Sequence, residues 1–216
     1  MNVLLRYVTT SIGKKQIVAL TGMLLASFLV GHLAGNILMY KGYQDFNRYA
    51  EFLTTNPALP LVELGLLALF ACHIGCALWV TWENLLARPE HYAVHQDAGG
   101  RTLGSSTMIY TGLFTLAFLL FHVTTFRLIK DESGLYGLWG YVVEWFQGGF
   151  TVAFYVTAVL FLGTHLSHGV QSAFQTLGLS HPRATPPIKG VGLLFAVAMA
   201  VAFGMIPIWS HLVHGG

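Results

Sequence analysis

The chain has 216 residues, of which 55% are hydrophobic and only 9% are charged, with 11 Lys and Arg against 9 Asp and Glu. Soluble domains carry about one quarter charged residues, so this composition, with a mean hydropathy of +0.63, excludes an ordinary soluble protein. The nearly balanced charge also gives no reason to expect a nucleic-acid partner. The sequence therefore predicts an integral membrane protein that has the lipid bilayer as its solvent.

Five apolar stretches are long enough to cross a membrane as helices, which takes about 20 residues each. These predicted helices I to V cover roughly residues 17–40, 58–86, 104–128, 149–177 and 189–211. The apolar run of helix I is longer than that of a signal peptide, and no small-residue cleavage site stands out after it, so it is kept as a span. Because little chain is left for a soluble domain, residues 1–216 are predicted to form a single all-α membrane domain.

Two segments outside the spans have the composition of membrane-surface structure. The first fourteen or so residues mix apolar and basic side chains, which is typical of a short interfacial helix. The segment 129–148 carries a set of aromatic residues of the kind that concentrates at the headgroup level. These are Tyr136, Trp139, Tyr141, Trp145 and Phe146. We expect both segments to lie at the membrane surface.

The distribution of Lys and Arg predicts the orientation. Seven of these residues flank the side that carries the N-terminus, and four flank the opposite side. The first set is Arg6, Lys14, Lys15, Arg88, Arg101, Arg183 and Lys189, and the second is Lys41, Arg48, Arg127 and Lys130. Because positive residues favour the cytoplasmic side, the N-terminus is predicted to be cytoplasmic.

Four histidines, each in a different predicted span, are the strongest functional signal. A polar side chain inside a span indicates a functional site by default. At about 1.5 Å per helical residue, His32 and His122 lie in the outer half of the membrane, and His73 and His165 lie in the inner half. We call these the outer pair and the inner pair. Each pair can supply both axial ligands of one haem, so the sequence predicts a bundle that encloses two haems stacked across the membrane.

Other interpretations of the histidines carry less weight. A single histidine in a span is more often an interhelical hydrogen-bonding residue, but four that sort by depth into two pairs are harder to explain that way. A zinc ion needs its ligands to converge on one point, whereas the two pairs are separated along the membrane normal. The chain has no C-x-x-C-H motif for covalent haem attachment, so any haem is predicted to be b-type and non-covalent.

Several choices within this site are open from the residues alone. His168 lies three residues from His165 on nearly the same helix face, so either could be the ligand. Small residues beside the histidines would allow either close approach of a flat macrocycle or close helix packing. These are Gly31, Gly35, Gly75, Gly163 and Gly169.

Glu63 is the acid that lies well inside a predicted span, in the outer half of helix II. It is a candidate for relaying a proton near the level of the outer haem, unless helix II begins later and leaves Glu63 at the interface. Arg127 is placed to bind a propionate of the outer haem, since guanidinium binds carboxylate strongly, or to anchor helix III at the membrane boundary.

The segments around these histidines resemble the haem-binding segments of the cytochrome b558 subunit of succinate dehydrogenase and fumarate reductase. They read GHLAGNILMY in helix I, FACHIGCALWVTWEN in helix II, LLFHVTTFRL in helix III and GTHLSHGVQSAFQTLGL in helix IV. Members of that family are five-helix anchors that bind one b haem from helices I and III and another from helices II and IV. The resemblance favours His165 over His168, because the family spacing from ligand to two later glycines is met by His165, Gly169 and Gly178.

The resemblance implies a function in electron transfer. Such an anchor docks a flavoprotein and an iron–sulfur subunit on the cytoplasmic face of a prokaryotic-type inner membrane and exchanges electrons with a quinone, expected to be menaquinone. The chain itself has neither a G-x-G-x-x-G fingerprint nor the cysteine spacing of an iron–sulfur cluster, so it cannot oxidise succinate alone. The alternatives are the cytochrome b subunit of a hydrogenase or formate dehydrogenase and, with less support, a proton-coupled transporter or channel.

Overall fold

The computed structural model describes residues 3–87 and 103–214, and every regular element within these ranges is a helix. The α-helices in chain order are α1 (Val3–Val8), α2 (Ser11–Asn36), α3 (Tyr43–Thr54), α4 (Leu59–Leu86), α5 (Leu103–Val123), α6 (Gly137–Trp145), α7 (Gly149–Thr176) and α8 (Thr185–His214). A 3₁₀ segment, Ile37–Lys41, extends α2, and a π-helical segment, Thr124–Leu128, extends α5. The all-helical class is confirmed.

Five of these helical segments are long and apolar enough to cross a membrane, which confirms the predicted number. Helices I to V correspond to α2, α4, α5, α7 and α8. Helix α2 begins six residues earlier than predicted because the Thr10 hydroxyl caps it, accepting a hydrogen bond from the Gly13 amide at 3.0 Å. Helix α8 begins at Thr185 rather than at 189, since prolines are tolerated in the first turn, where their missing N–H costs nothing.

A pair of short helices at one end of the membrane helices was only half predicted. The predicted interfacial segment 129–148 contains α6, but α3 was not predicted, because its charged residues interrupt any apolar run. The Asn47 side chain joins the two helices: its Nδ2 donates to the Tyr136 carbonyl at 2.7 Å, and its Oδ1 accepts from the Trp139 amide at 2.9 Å. Beneath them Met39, Phe46 and Trp139 form a buried cluster.

The packing order of the membrane helices leaves one side open. Helix α7 packs against α2, α5 and α8, and α4 packs against α2. The contacts therefore run in the order α4, α2, α7, α5, and α4 makes no extensive contact with α5 or α7 among the described residues. None of the α4 residues is buried, whereas α2, α7 and α8 share a core of Ala26, Leu166, Ala196 and Met199.

Ion pairs join helices at both ends. At the end where α2, α5 and α8 begin, which we call the N-side face, the buried Lys14 ammonium pairs with Glu83 near the end of α4. Trp79 Nε1 also donates to Glu83 there, at 2.8 Å. At the opposite end, the C-side face, Arg127 pairs with Glu63. Arg88 and Arg101, which contributed to the positive count, lie outside the described residues, and the orientation stays a prediction.

Candidate cofactor site

The rings of the outer pair lie close together between α2 and α5. The centroids of the His32 and His122 rings are 5.9 Å apart, and their planes are nearly perpendicular at 88°. An iron held by two imidazoles, with a metal–nitrogen distance of about 2 Å on each side, places the ring centroids about 6 Å apart. His122 Nδ1 is buried and has no hydrogen-bond partner among the described residues. The separation of the rings thus fits bis-histidine ligation.

The inner pair is held by hydrogen bonds at Nδ1. His73 Nδ1, on α4, lies 3.1 Å from the Val18 carbonyl oxygen and 3.1 Å from Thr21 Oγ1, both on α2. A carbonyl oxygen can only accept, so the bond to Val18 requires that Nδ1 carry the proton. Nε2 is then the unprotonated nitrogen, which is the form in which a histidine binds a metal.

His165, on α7, contacts a threonine hydroxyl of α5 in the same way. Its Nδ1 lies 3.4 Å from Thr111 Oγ1, and the ring interacts with the Met108 main chain. Thr111 and Met108 are three residues apart, as are Thr21 and Val18, so both inner histidines meet one hydroxyl and one main-chain group of a neighbouring helix.

The two pairs lie at different levels. The inner pair is level with Thr21 and Thr111, whereas the outer pair lies further along the same two helices at His32 and His122. Eleven residues separate Thr21 from His32, which corresponds to about 16 Å of helical rise. The depth order inferred from the sequence is therefore also the order along the helices of the structure.

A short repeat, which the sequence analysis missed, underlies this arrangement. Helices α2 and α5 each carry a Thr-Gly pair, at 21–22 and 111–112, and in both the glycine precedes the histidine of the outer pair by ten residues. Each of these two helices thus contributes one ring to the outer pair and one Thr-Gly pair to the inner level. The identical spacing in the two helices was the signal that could have revealed these residues.

The glycine of each repeat gives the inner rings their space. A Cβ atom added to Gly22 would lie 3.0 Å from His73 Cε1, and one added to Gly112 would lie 3.2 Å from His165 Cε1. Both distances are tighter than an ordinary van der Waals contact. Any larger residue at these positions would therefore displace the histidine that faces it.

Of the glycines named from the sequence, some are explained by packing and some are not. A Cβ on Gly163 would meet Ala200 Cβ at 2.9 Å, and Gly35 lies against the ring of Tyr49, so close packing accounts for both. Gly31 and Gly75 face open space. A Cβ on Gly169 would make an ordinary contact with Met108 Cε at 3.5 Å, so of these five glycines Gly31 and Gly75 leave the backbone most accessible to a cofactor.

His168 also faces α5, but about one turn further along α7 than His165. Its Cβ faces Gly104 at the beginning of α5, and its Nδ1 is buried without a partner in the described part of the chain. His165, by contrast, faces Thr111 and Gly112, just as His73 faces Thr21 and Gly22. We therefore keep His165 as the candidate ligand.

An apolar gap opens between α4 and α5 beside the inner pair. It has a volume of about 630 Å³, within the range of cofactor pockets. The residues that line it are Gly75, Leu78, Trp79, Thr81, Trp82, Leu85, Ile109 and Leu113. Gly75 follows His73 by two residues, and Leu113 follows Thr111 by two, so the gap begins at the level of the inner histidines.

The acid and the base singled out near the C-side face bind each other. Arg127 Nε donates to Glu63 Oε1 at 2.6 Å, and a second guanidinium nitrogen donates to Oε2 at 3.2 Å. Glu63 lies only four residues after the start of α4, and its side chain is 40% exposed. Arg127, for which a haem propionate was one predicted partner, is thus engaged by a protein carboxylate.

Arg127 belongs to the π-helical segment that follows His122, and such segments occur frequently at functional sites. The Tyr141 hydroxyl, on α6, donates to the Thr125 carbonyl in this segment at 3.1 Å. Burial, with a smaller effect of the Asp131 charge, raises the pKa of Tyr141, so the hydroxyl keeps the proton that it donates. Helix α6 thereby supports the segment that presents Arg127.

Within residues 3–87 and 103–214, no group of three or more His, Cys, Asp or Glu side chains is arranged to hold a metal ion. A haem iron takes only two axial ligands from the protein, and each histidine pair supplies two.

Comparison with protein-family models, with curated proteins and with solved structures finds no match for this chain. Support for a function therefore comes from the histidine pairs themselves and from the sequence resemblance.

Proposed function

We propose that this chain is a di-haem cytochrome b that anchors a succinate:quinone oxidoreductase in the membrane and carries electrons between its iron–sulfur subunit and a membrane quinone, expected to be menaquinone. The observations that support the proposal are the closeness of the His32 and His122 rings and, at a second level, the matching threonine contacts of His73 and His165. Four unrelated interhelical hydrogen bonds would not require such an arrangement.

In this proposal His32 and His122 hold one b haem, and His73 and His165 hold the other. Bound haem iron supplies one-electron chemistry, whose potential depends on ligation, burial and hydrogen bonding. The chain's own contribution is to orient the imidazoles. At the inner level the Val18 carbonyl keeps the proton of His73 on Nδ1, so its Nε2 would be free to bind the metal.

The inner cofactor would lie in the gap between α4 and α5. Its walls are apolar and include Gly75, two residues after His73, and α4 has little other contact with α5. A flat macrocycle in this position would supply the packing that α4 lacks on that side. Trp79 and Trp82 would then separate it from the N-side face.

Quinone chemistry needs a group that accepts and releases protons, and we assign this role to Glu63. Arg127 holds its two carboxylate oxygens in a fixed geometry near the C-side face, on the side where the outer pair lies. The Glu63 carboxylate would accept a proton from a quinol hydroxyl when electrons leave the quinol, and return it in the opposite direction.

The flavoprotein and iron–sulfur subunits would dock on the N-side face, which is cytoplasmic in the predicted orientation. Electrons would enter or leave through the inner pair, which is the nearer one to this face. The alternative, a cytochrome b subunit of a hydrogenase or formate dehydrogenase, uses the same haems with a different soluble partner. The partner that co-purifies with the chain therefore distinguishes the two.

The test is a reduced-minus-oxidised spectrum of the purified protein together with a pyridine haemochrome count. Two b haems per chain, with a flavoprotein and an iron–sulfur protein in the same complex, are the expected result. An absence of haem after expression with adequate haem supply would overturn the proposal.

A further inference from the structure

The Thr-Gly repeat assigns a role to two residues beyond the haem ligands themselves, and this inference rests on the proposed function. We propose that Thr21 and Thr111 are positioning residues for the inner haem, each accepting a hydrogen bond at Oγ1 from the Nδ1–H of the histidine on the neighbouring helix. In this role they orient the two axial imidazoles and lower the reduction potential of that haem.

The first half of the proposal is the contact between α2 and α4. Thr21 is 8% exposed, and its hydroxyl is 2.7 Å from the Ile17 carbonyl of its own helix, to which it donates. Because its one proton is used there, the lone pairs of Oγ1 are free to accept. His73 Nδ1 lies 3.1 Å away and also meets the Val18 carbonyl, so the Nδ1–H is shared between two acceptors.

The second half is the same contact between α5 and α7. Thr111 is 3% exposed, and its hydroxyl is 3.1 Å from the carbonyls of Thr107 and Met108 in its own helix. His165 Nδ1 lies 3.4 Å from Thr111 Oγ1. Two helices that are far apart in the chain thus present a threonine hydroxyl to the Nδ1 atoms of the two rings.

These contacts have a direct electronic consequence. A hydrogen bond that Nδ1–H donates pushes electron density to the opposite nitrogen and makes Nε2 a stronger ligand. A stronger ligand stabilises ferric over ferrous iron, which lowers the reduction potential. Because Thr21 and Thr111 would act on the two histidines that hold one haem, their removal should shift the same potential in the same direction.

The experiment uses the complete haem-loaded complex. Thr21→Val and Thr111→Val remove the hydroxyl while keeping the branched shape. Thr21→Ser and Thr111→Ser keep the hydroxyl and lose only the methyl group. Thr115→Val is the matched control on α5, since its hydroxyl donates to the Thr111 carbonyl of its own helix at 2.8 Å. Ser27→Ala is the control on α2, where the hydroxyl donates to the Met23 carbonyl at 3.0 Å.

The readouts are redox titration of the α band, with the two components assigned from the histidine variants, and the electron paramagnetic resonance signal of each ferric haem. Each valine variant should raise the potential of the inner haem, the double variant should raise it further, and the outer haem should not change. The serine variants and both controls should behave like the wild type. Loss of the inner haem in a valine variant, with retention in the serine variant, would equally support the positioning role.

Two results would overturn it. One is an unchanged inner potential and signal in both valine variants while two haems remain bound. The other is loss of the inner haem in the valine and serine variants alike, which would mean that the threonines only fill space. A wild-type protein without haem would instead defeat the proposed function, so the two failures are distinguishable.

Discussion

At the scale of single residues, the outer pair offers a direct test of which two histidines hold the same haem. His122 is surrounded by rings, with Phe118, Phe126 and Tyr155 at centroid distances of 5.5, 5.3 and 6.1 Å, so a smaller residue there creates a cavity without introducing charge. We expect His122→Ala or His32→Ala to remove one of the two haems and to leave the component assigned to His73 and His165. Haemochrome content and redox titration measure this, and loss of only the inner component would disprove the pairing.

The Glu63 and Arg127 pair gives a second prediction at this scale. Glu63→Gln keeps the shape of the side chain but cannot take up a proton, so quinone turnover should fall about tenfold or more while haem spectra stay unchanged. Steady-state quinol oxidation by the intact complex measures the effect. Glu132→Gln, on the same face and paired with Lys130 in a separate contact, is the control. Equal turnover in both variants would dismiss the role of Glu63.

At the scale of elements, α3 and α6 depend on each other through Asn47. Its side chain donates to the main chain of Tyr136 and accepts from that of Trp139, and loss of one side chain breaks both bonds. An unsatisfied main-chain group costs about 1–3 kcal/mol where it is shielded from water. We expect Asn47→Ala to loosen α6 against the rest of the chain.

Hydrogen exchange of residues 137–145 measures this change, since local opening exposes their amides. Exchange should become several-fold faster in Asn47→Ala while that of α8 stays the same. Thr54→Ala serves as the control, because the Thr54 hydroxyl bonds only to carbonyls of its own helix, at 3.0 and 3.2 Å, in the contacts described. Unchanged exchange in α6 would show that its burial on Met39 is sufficient to hold it.

The elements also differ in how far the sequence predicts them. The five membrane helices follow from apolar length alone, since each needs about 20 residues and carries few charges. Helix α3 does not, because its fold depends on contacts with α6 that are almost 90 residues away. The start of α8 was misplaced because the prolines of its first turn are ambiguous: they can begin a helix or separate two.

The same distinction applies to the candidate site. The positions of His32, His73, His122 and His165 in four separate spans could be interpreted from sequence, since a buried ring is costly in a membrane. The partners of the inner rings could not, because a threonine hydroxyl in a span usually bonds its own helix and gives no compositional signal. Likewise, both Glu63 and Arg127 were candidates, but only the structure brings them together.

At the scale of the whole molecule, the open side between α4 and α5 predicts that cofactor and fold support each other. Helix α4 has no buried residue and packs on α2, whereas α8 packs on α7 in the core, so the haem-free chain should be weakest at α4. A ligand that binds only the folded state stabilises it by about 2.7 kcal/mol at a hundredfold excess over Kd. We expect protein made under haem limitation to unfold at a lower temperature and to exchange α4 amides faster, with α8 little affected. Equal acceleration in α4 and α8 would mean that the gap is not where the cofactor stabilises the chain.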